Sequence, residues 1–278
     1  MGDTMSWKKT IGRVAFLNCD PLFHSVRKEW RILSAPPSWL TGHILRRDCI
    51  LAPIPAADYA RHRDELILLP NIGICSKGEV GSVLLFSKKS IDQVNTVALP
   101  SDSATSVVLC QYLLKMKGYH PTYTQMGPDI DSMIQQCDAA LLIGDRALQA
   151  TKEKKYNVIL DLGEAWFTQT SQPMVFGVFA ARKDTPLVDL EAAYTTLLDN
   201  LVEFETQPTT RQNVIRSSSK HSQLPVERLE QYFGEVFNRL DDEHISGLNT
   251  FLQTVFSDQI QAEFISFGEK RVLLEQTI

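Results

Sequence analysis

Short apolar runs alternate with helix-period segments as far as about Arg182, and helix-period segments dominate beyond it. "GRVAFLN", "DCILAP" and "ELILLP" predict strands, being rich in branched and large apolar residues and closed by turn formers. "PSWLTGHILRR" predicts a helix with Ser38 at or near its cap, and "GSVLLFSKKS" predicts another strand. A second series starts at Thr96 with "TVALP", a helix after Ser103, "PTYTQM", "DIDSMIQQ", "DAALLIG" and the helix "DRALQATKEKK". This alternation is that of βαβ units on a parallel sheet, an α/β fold. From Asp189 onward about four helices are expected, with breaks near "TQPTT", "SQLPVE" and "RLDDEH" and apolar spacing such as Leu229, Phe233, Val236 and Phe237.

Two segments share one form. "GSVLLFSKKS" (Gly81 to Ser90) and "PMVFGVFAARKD" (Pro173 to Asp184) are apolar β-rich runs that reach a basic pair or an Arg-Lys, and they bracket the second series. Exit and return crossings between two lobes have this placement. The expected division is a discontinuous first lobe, 1–90 with 177–278, and an inserted second lobe, 91–176. A small ligand would sit between them, where strand ends and a domain interface concentrate binding groups.

Composition removes several function classes. The chain of 278 residues is 44% hydrophobic, enough for a sizeable core. Its formal net charge of -5, with Lys and Arg scattered, leaves no footprint for nucleic acid. "MGDTMSWKKTIGRV" has basic residues but no apolar run after them, which implies a cytoplasmic protein without a secretory signal, and no stretch is apolar for long enough to span a membrane. Five well-separated cysteines imply reduced thiols, and none of the six histidines has metal-pair spacing. "LLIGDRAL" lacks the rest of a phosphate-binding fingerprint. Neither a metal nor a cofactor is expected.

"TVALPSDSATSVVLCQYLL" places Ser101, Ser103, Thr105 and Ser106, with Ala104 among them, between a strand and a helix. Capping accounts for one hydroxyl. An anion seat accounts for more, because backbone N–H groups and the helix dipole hold a carboxylate without Lys or Arg. Asn18 could be a turn residue, Ser82 a strand-edge hydroxyl and Gly144-Asp145 a helix start, yet two lobes would bring all of them to one cleft. Cys19 is taken as cleft lining or packing, since nothing in the sequence supplies a base for it.

Along Arg13 to Arg182 the sequence resembles the MqnA-type chorismate dehydratases of the futalosine route to menaquinone, through "GRVAFLNCDPLF", "PPSWLTGHILRRD", "GSVLLFSK", "SDSATSVVL", "DAALLIGDRAL" and "DLGEAWFTQTSQPMVFGVFAAR". The resemblance implies a two-lobed fold like the type II periplasmic binding proteins, with a helical C-terminal region. It implies loss of water from chorismate to give 3-[(1-carboxyvinyl)oxy]benzoate. Asn18 and Ser82 fall on the family's catalytically implicated positions, and Ser103 to Ser106 on a turn expected to hold a substrate carboxylate. Cys19-Asp20 and Pro55-Ala56 depart from the family pattern. A non-catalytic anion-binding protein on the same scaffold, or the sister enzyme that makes a dihydroxynaphthoate, are the alternatives.

Overall fold

A computed structural model describes residues 7–26, 28–256 and 259–267. The stretch 1–6, whose sequence bears on the signal question, lies outside them. Two sheets organise the chain.

The first is built from β1 (Thr10–Val14), β2 (Arg31–Ala35), β3 (Ala52–Pro55), β4 (Leu66–Ser76), β10 (Met174–Arg182) and β11 (Phe237–Leu240). β1 pairs with β2 in parallel, and β11-β4-β10-β3 form an antiparallel four-stranded unit. The parallel bridge Ile11–Leu51, with Gly12 N–H donating to Leu51 O at 2.8 Å, sets β1 beside β3. The spatial order is therefore β2-β1-β3-β10-β4-β11. The second sheet is β7 (Thr122–Met126), β6 (Thr96–Pro100), β8 (Ala139–Ile143), β5 (Val83–Ser87) and β9 (Asn157–Asp161), in that order. β7, β6 and β8 run parallel, and β5 opposes both β8 and β9.

Helices cover both sheets: α1 (Asp20–Phe23), α2 (Pro37–Leu45), α3 (Ala56–His62), α4 (Ala104–Met116), α5 (Ile130–Gln136), α6 (Gly144–Glu153), α7 (Leu162–Thr170), α8 (Leu187–Thr206), α9 (Pro208–Ser222), α10 (Val226–Glu235) and α11 (Asp242–Val255). The breaks between α8, α9, α10 and α11 fall at Gln207-Pro208, Gln223 to Pro225 and Asp241, near the expected positions. Trp166 of α7 is wholly buried, edge-on to Phe251 of α11 and tilted against Tyr112 of α4, so it locks elements of both sheets together.

Several local expectations fail for physical reasons. β1 ends at Val14 and a 3-10 turn, Leu17–Cys19, carries Asn18, because Leu17 N–H is drawn out of the ladder to the Asp145 carboxylate at 2.9 Å. Phe237 belongs to strand β11 and not to a helix. α10 stops at Glu235, and Phe237 then pairs with Cys75 of β4. β5 hydrogen-bonds within the second sheet, so by sheet membership the chain changes sides near residue 80 and not at 90.

Candidate functional site

The segment joining β4 to β5 is pinned by one carboxylate. Asp161, at the end of β9, accepts from the backbone N–H groups of Val80 (3.1 Å), Gly81 (2.9 Å), Gly163 (2.9 Å) and Glu164 (3.0 Å). Two of these bonds cap α7 and two immobilise the approach to Ser82. Ser82 O then accepts from Gly144 N–H at 2.7 Å, which fastens the start of α6 to the start of β5. Gly144 has φ +59, and a Cβ there would lie 2.7 Å from the Phe16 ring, so only glycine allows this approach.

Asn18 is held from both sides. Leu17 N–H is fixed by Asp145, while Asp20 is buried, ion-paired to Arg13 and hydrogen-bonded by Ser218. Asn18 itself is buried, yet its Oδ1 has no partner in the fold. A buried acceptor without a donor costs free energy, so it marks a place where a ligand group is expected.

α4 begins with Ser103 in extended backbone, and the Ser103 side chain makes no capping bond. The bland capping account therefore fails for that hydroxyl. Thr105 Oγ1 reaches across to accept from Ala57 N–H at the start of α3, at 3.1 Å. α3, α4 and α6 all begin here with no side-chain cap, as α8 to α10 do elsewhere, whereas α5, α7 and α11 are capped by Asp129, Asp161 and Asp241.

Between the sheets lies a cavity with about 530 Å³ of empty space, mouth included. Asn18, Ser82, Ser103, Thr105, Ser106 and Gly144 line it, with apolar walls from residues such as Ile54 and Phe176. None of the lining residues carries a charge, and among the described residues no cluster of His, Cys, Asp and Glu could hold a metal. The cavity can hold an anion through helix starts, hydroxyls and the Asn18 amide, without a charged side chain.

Other sequence-derived candidates lie apart. Ser38, Ser101 and Ala104 line an open groove beside Asp58 and Arg61, and only Ser103 borders both spaces. Ser38 N–H donates to Asp102 O at 3.3 Å, so its backbone bridges the two halves. Asp145 does not line the cavity, and its carboxylate serves the Leu17 N–H. Burial pushes the Asp145 carboxyl up to about 6, against the opposing pull of that N–H. Burial likewise pushes the Cys19 thiol up to about 12, which removes it as a nucleophile and agrees with a packing role. Two groups escaped the sequence reading. Asp102 of the hydroxyl turn is buried and paired with Arg146 at 2.5 Å. Asp161 is the other, although "DLGE" has the Asp-x-x-Glu form of a capping box and could have revealed it.

Residues 9–257 match the menaquinone biosynthesis family. The chain belongs to that family. It is 34% identical over 192 residues to the chorismate dehydratase of Thermus thermophilus, which covers 63% of this chain and 70% of that enzyme. Solved structures with similar architecture include a protein from Archaeoglobus fulgidus (TM-score 0.67, 18% identity, 88% of this chain and 95% of that one). The alkanesulfonate-binding protein SsuA of Xanthomonas axonopodis pv. citri, bound to MOPS, superposes with TM-score 0.66 at 12% identity over 87% and 89% of the chains. A Candida albicans protein with the generic periplasmic binding protein fold gives TM-score 0.66 at 10% identity over 94% and 98%. At such identities the structures speak for the fold alone: this family member is periplasmic-binding-protein-like, with the cavity between its sheets. No described helix is long and apolar enough to cross a membrane.

Proposed function

We propose that the protein is a chorismate dehydratase, a carbon–oxygen lyase that converts chorismate to 3-[(1-carboxyvinyl)oxy]benzoate and water. The observation that carries this reading is the uncharged cavity where uncapped helix starts meet Ser103, Thr105 and Ser106. Chorismate has two carboxylates, and these donors suit them. The C3–H bond breaks, its electron pair becomes a ring double bond, and the C4–O bond breaks to release the hydroxyl as water.

The C3 hydrogen is conjugated through a ring double bond to the ring carboxylate. Charge moves toward that carboxylate as the proton leaves, and donors placed there stabilise the transition state beyond the ground state. No Asp, Glu, His or Lys lines the cavity, which supports the substrate's own enolpyruvyl carboxylate as the base that passes the proton on to the leaving hydroxyl. Ser82 and Asn18 position the ring and assist hydroxide departure. The division into two lobes that close on the substrate is part of the same proposal, with Ser38–Asp102, Ala57–Thr105 and Leu17–Asp145 as contacts across the cleft.

The test is incubation with chorismate and identification of the product by mass. A new species lighter by one water is expected. Chorismate returned intact by folded protein, while it raises the melting temperature, would reassign the protein as a binding protein on this scaffold.

A further inference from the structure

Ser82 closes a connector that lies outside both sheets, since β4 ends at Ser76 and β5 begins at Val83. Val80 and Ser82 line the cavity, whereas Gly81 between them, at φ +62, meets α10 instead. A Cβ on Gly81 would collide with Glu235 Oε2 and lie 2.6 Å from Arg228 Nη2. Only glycine permits so close an approach, and the connector is therefore seated on two charged side chains of the C-terminal helices, which contributed nothing to the sequence-based site.

Arg228 and Glu235 are seven residues apart on α10, two turns, which puts them on one face of it. Arg228 Nη2 donates to Glu235 Oε2 at 2.9 Å and to Gly81 O at 3.4 Å. Both side chains are largely withdrawn from water, with 24% of Arg228 and 11% of Glu235 exposed. Each charge then depends on the other, and the guanidinium stays where the carboxylate aims it. It also lies 5.8 Å from the centre of the buried Tyr232 ring, one turn on, which limits its swing. Phe233 is buried edge-on to Phe204 of α8, so α10 is itself anchored.

Gly81 is thus held at both of its peptide groups by distant parts of the chain. Asp161 takes its N–H at 2.9 Å and Arg228 its carbonyl, while the next carbonyl, that of Ser82, accepts from Gly144 N–H at 2.7 Å. These bonds fix the backbone on either side of the Ser82 Cα, and with it the direction in which the hydroxyl leaves the wall. A buried ion pair adds little net stability over neutral residues of the same size, so what this one supplies is geometry. We infer that the Arg228–Glu235 pair clamps the Gly81 peptide and so sets the Ser82 hydroxyl against the substrate, which makes both of them positioning residues for the reaction. The inference rests on the role given to Ser82 above.

Arg228→Met combined with Glu235→Gln removes both charges together and leaves side chains of similar size, so this variant should melt within about three degrees of the wild type. Its kcat on chorismate should fall about ten-fold while KM stays within about two-fold, and adding it to Ser82→Ala should lower turnover no further. A kcat within about two-fold of wild type, or losses that multiply in the combined variant, overturns the inference. Should the charge-free variant not fold, Gly81→Ala carries the test, because its methyl group pushes the same two side chains aside from the connector. Loss of turnover there supports the clamp, and normal turnover overturns it. If wild-type protein leaves chorismate untouched, the proposed function falls and amide hydrogen exchange decides the clamp by itself. Exchange at Val80 and Gly81 about ten-fold faster in the charge-free variant, with the β5 amides unchanged, supports it, and unchanged exchange at Val80 and Gly81 overturns it.

Discussion

The two sheets place their first five strands in one topological order, β2-β1-β3-β10-β4 against β7-β6-β8-β5-β9, yet they present different chemistry to the cavity. In the first, the turn after β1 offers Asn18, the start of α2 offers Pro37 and the end of β3 offers Pro55. Proline has no N–H, and the Ala57 N–H in the first turn of α3 is already taken by Thr105 Oγ1. In the second, the uncapped starts of α4 and α6 offer Ser103, Thr105, Ser106 and Gly144. One wall is a donor surface for a carboxylate and the other a stiff apolar surface with a single amide. An asymmetric cavity of this kind orients a ring between unlike faces, which a symmetric pair of helix starts would not do.

The comparison breaks most severely at the segment where the chain passes between the sheets. Asp161→Ala strips the acceptor from four backbone N–H groups, and loss of a cap plus a charged acceptor should cost about 3 kcal/mol in urea unfolding, with turnover lost. A change below about 1 kcal/mol with normal turnover would show that Ser82 is placed by the sheet alone. Next is the donor wall. Ser103→Asp puts a negative charge at the start of α4, which favours the helix dipole but competes with an anionic substrate for the same donors. Melting temperature should hold or rise while chorismate affinity drops about 100-fold. Normal binding by this variant would return the turn to a purely structural role.

Asn18→Ala and Ser82→Ala sample one residue from each side. Each should lower turnover about ten-fold with the fold intact, checked by steady-state kinetics beside circular dichroism. A fall in only one would assign the chemistry to a single wall. The smallest effect is expected at Asp145. Its carboxyl titrates near 6 when folded, against an ordinary value of 3.8, so the folded state holds the proton more tightly than the unfolded chain. Its contribution to stability is therefore present at low pH and is lost as pH rises from about 4 to about 6. Asp145→Asn keeps an acceptor for Leu17 N–H and removes the buried charge, so it should melt slightly higher at pH 7 and show a flatter pH profile between 4 and 6. Burial raises Asp20 as well, so part of the slope should persist. An unchanged profile would mean that the Asp145 charge is solvated.

Local periodicity was sufficient for the βαβ series, the hydroxyl turn and the C-terminal helix breaks, because alternation, caps and prolines act within a few residues. Motif likeness carried Asn18 and Ser82, and the structure places both on one cavity. Periodicity was insufficient where a distant partner competes for the backbone. Leu17 N–H leaves its strand for Asp145, 128 positions away, and Phe237 leaves helical spacing to pair with Cys75. Ser38 and Ser101 look equivalent to Ser103 along the chain, yet they open on a separate groove, since which face of a turn meets the opposite sheet is decided by packing. Asp161 carried its capping signal in "DLGE", but its hold on Val80 and Gly81 appears only when β9 lies against β5. The amino-acid sequence by itself determined which elements form and which residue types a site could use. Tertiary structure decided which of those residues share a cavity, because the contacts that assemble it, Ala57 with Thr105, Ser82 with Gly144 and Leu17 with Asp145, join segments tens of residues or more apart, beyond the reach of any local preference.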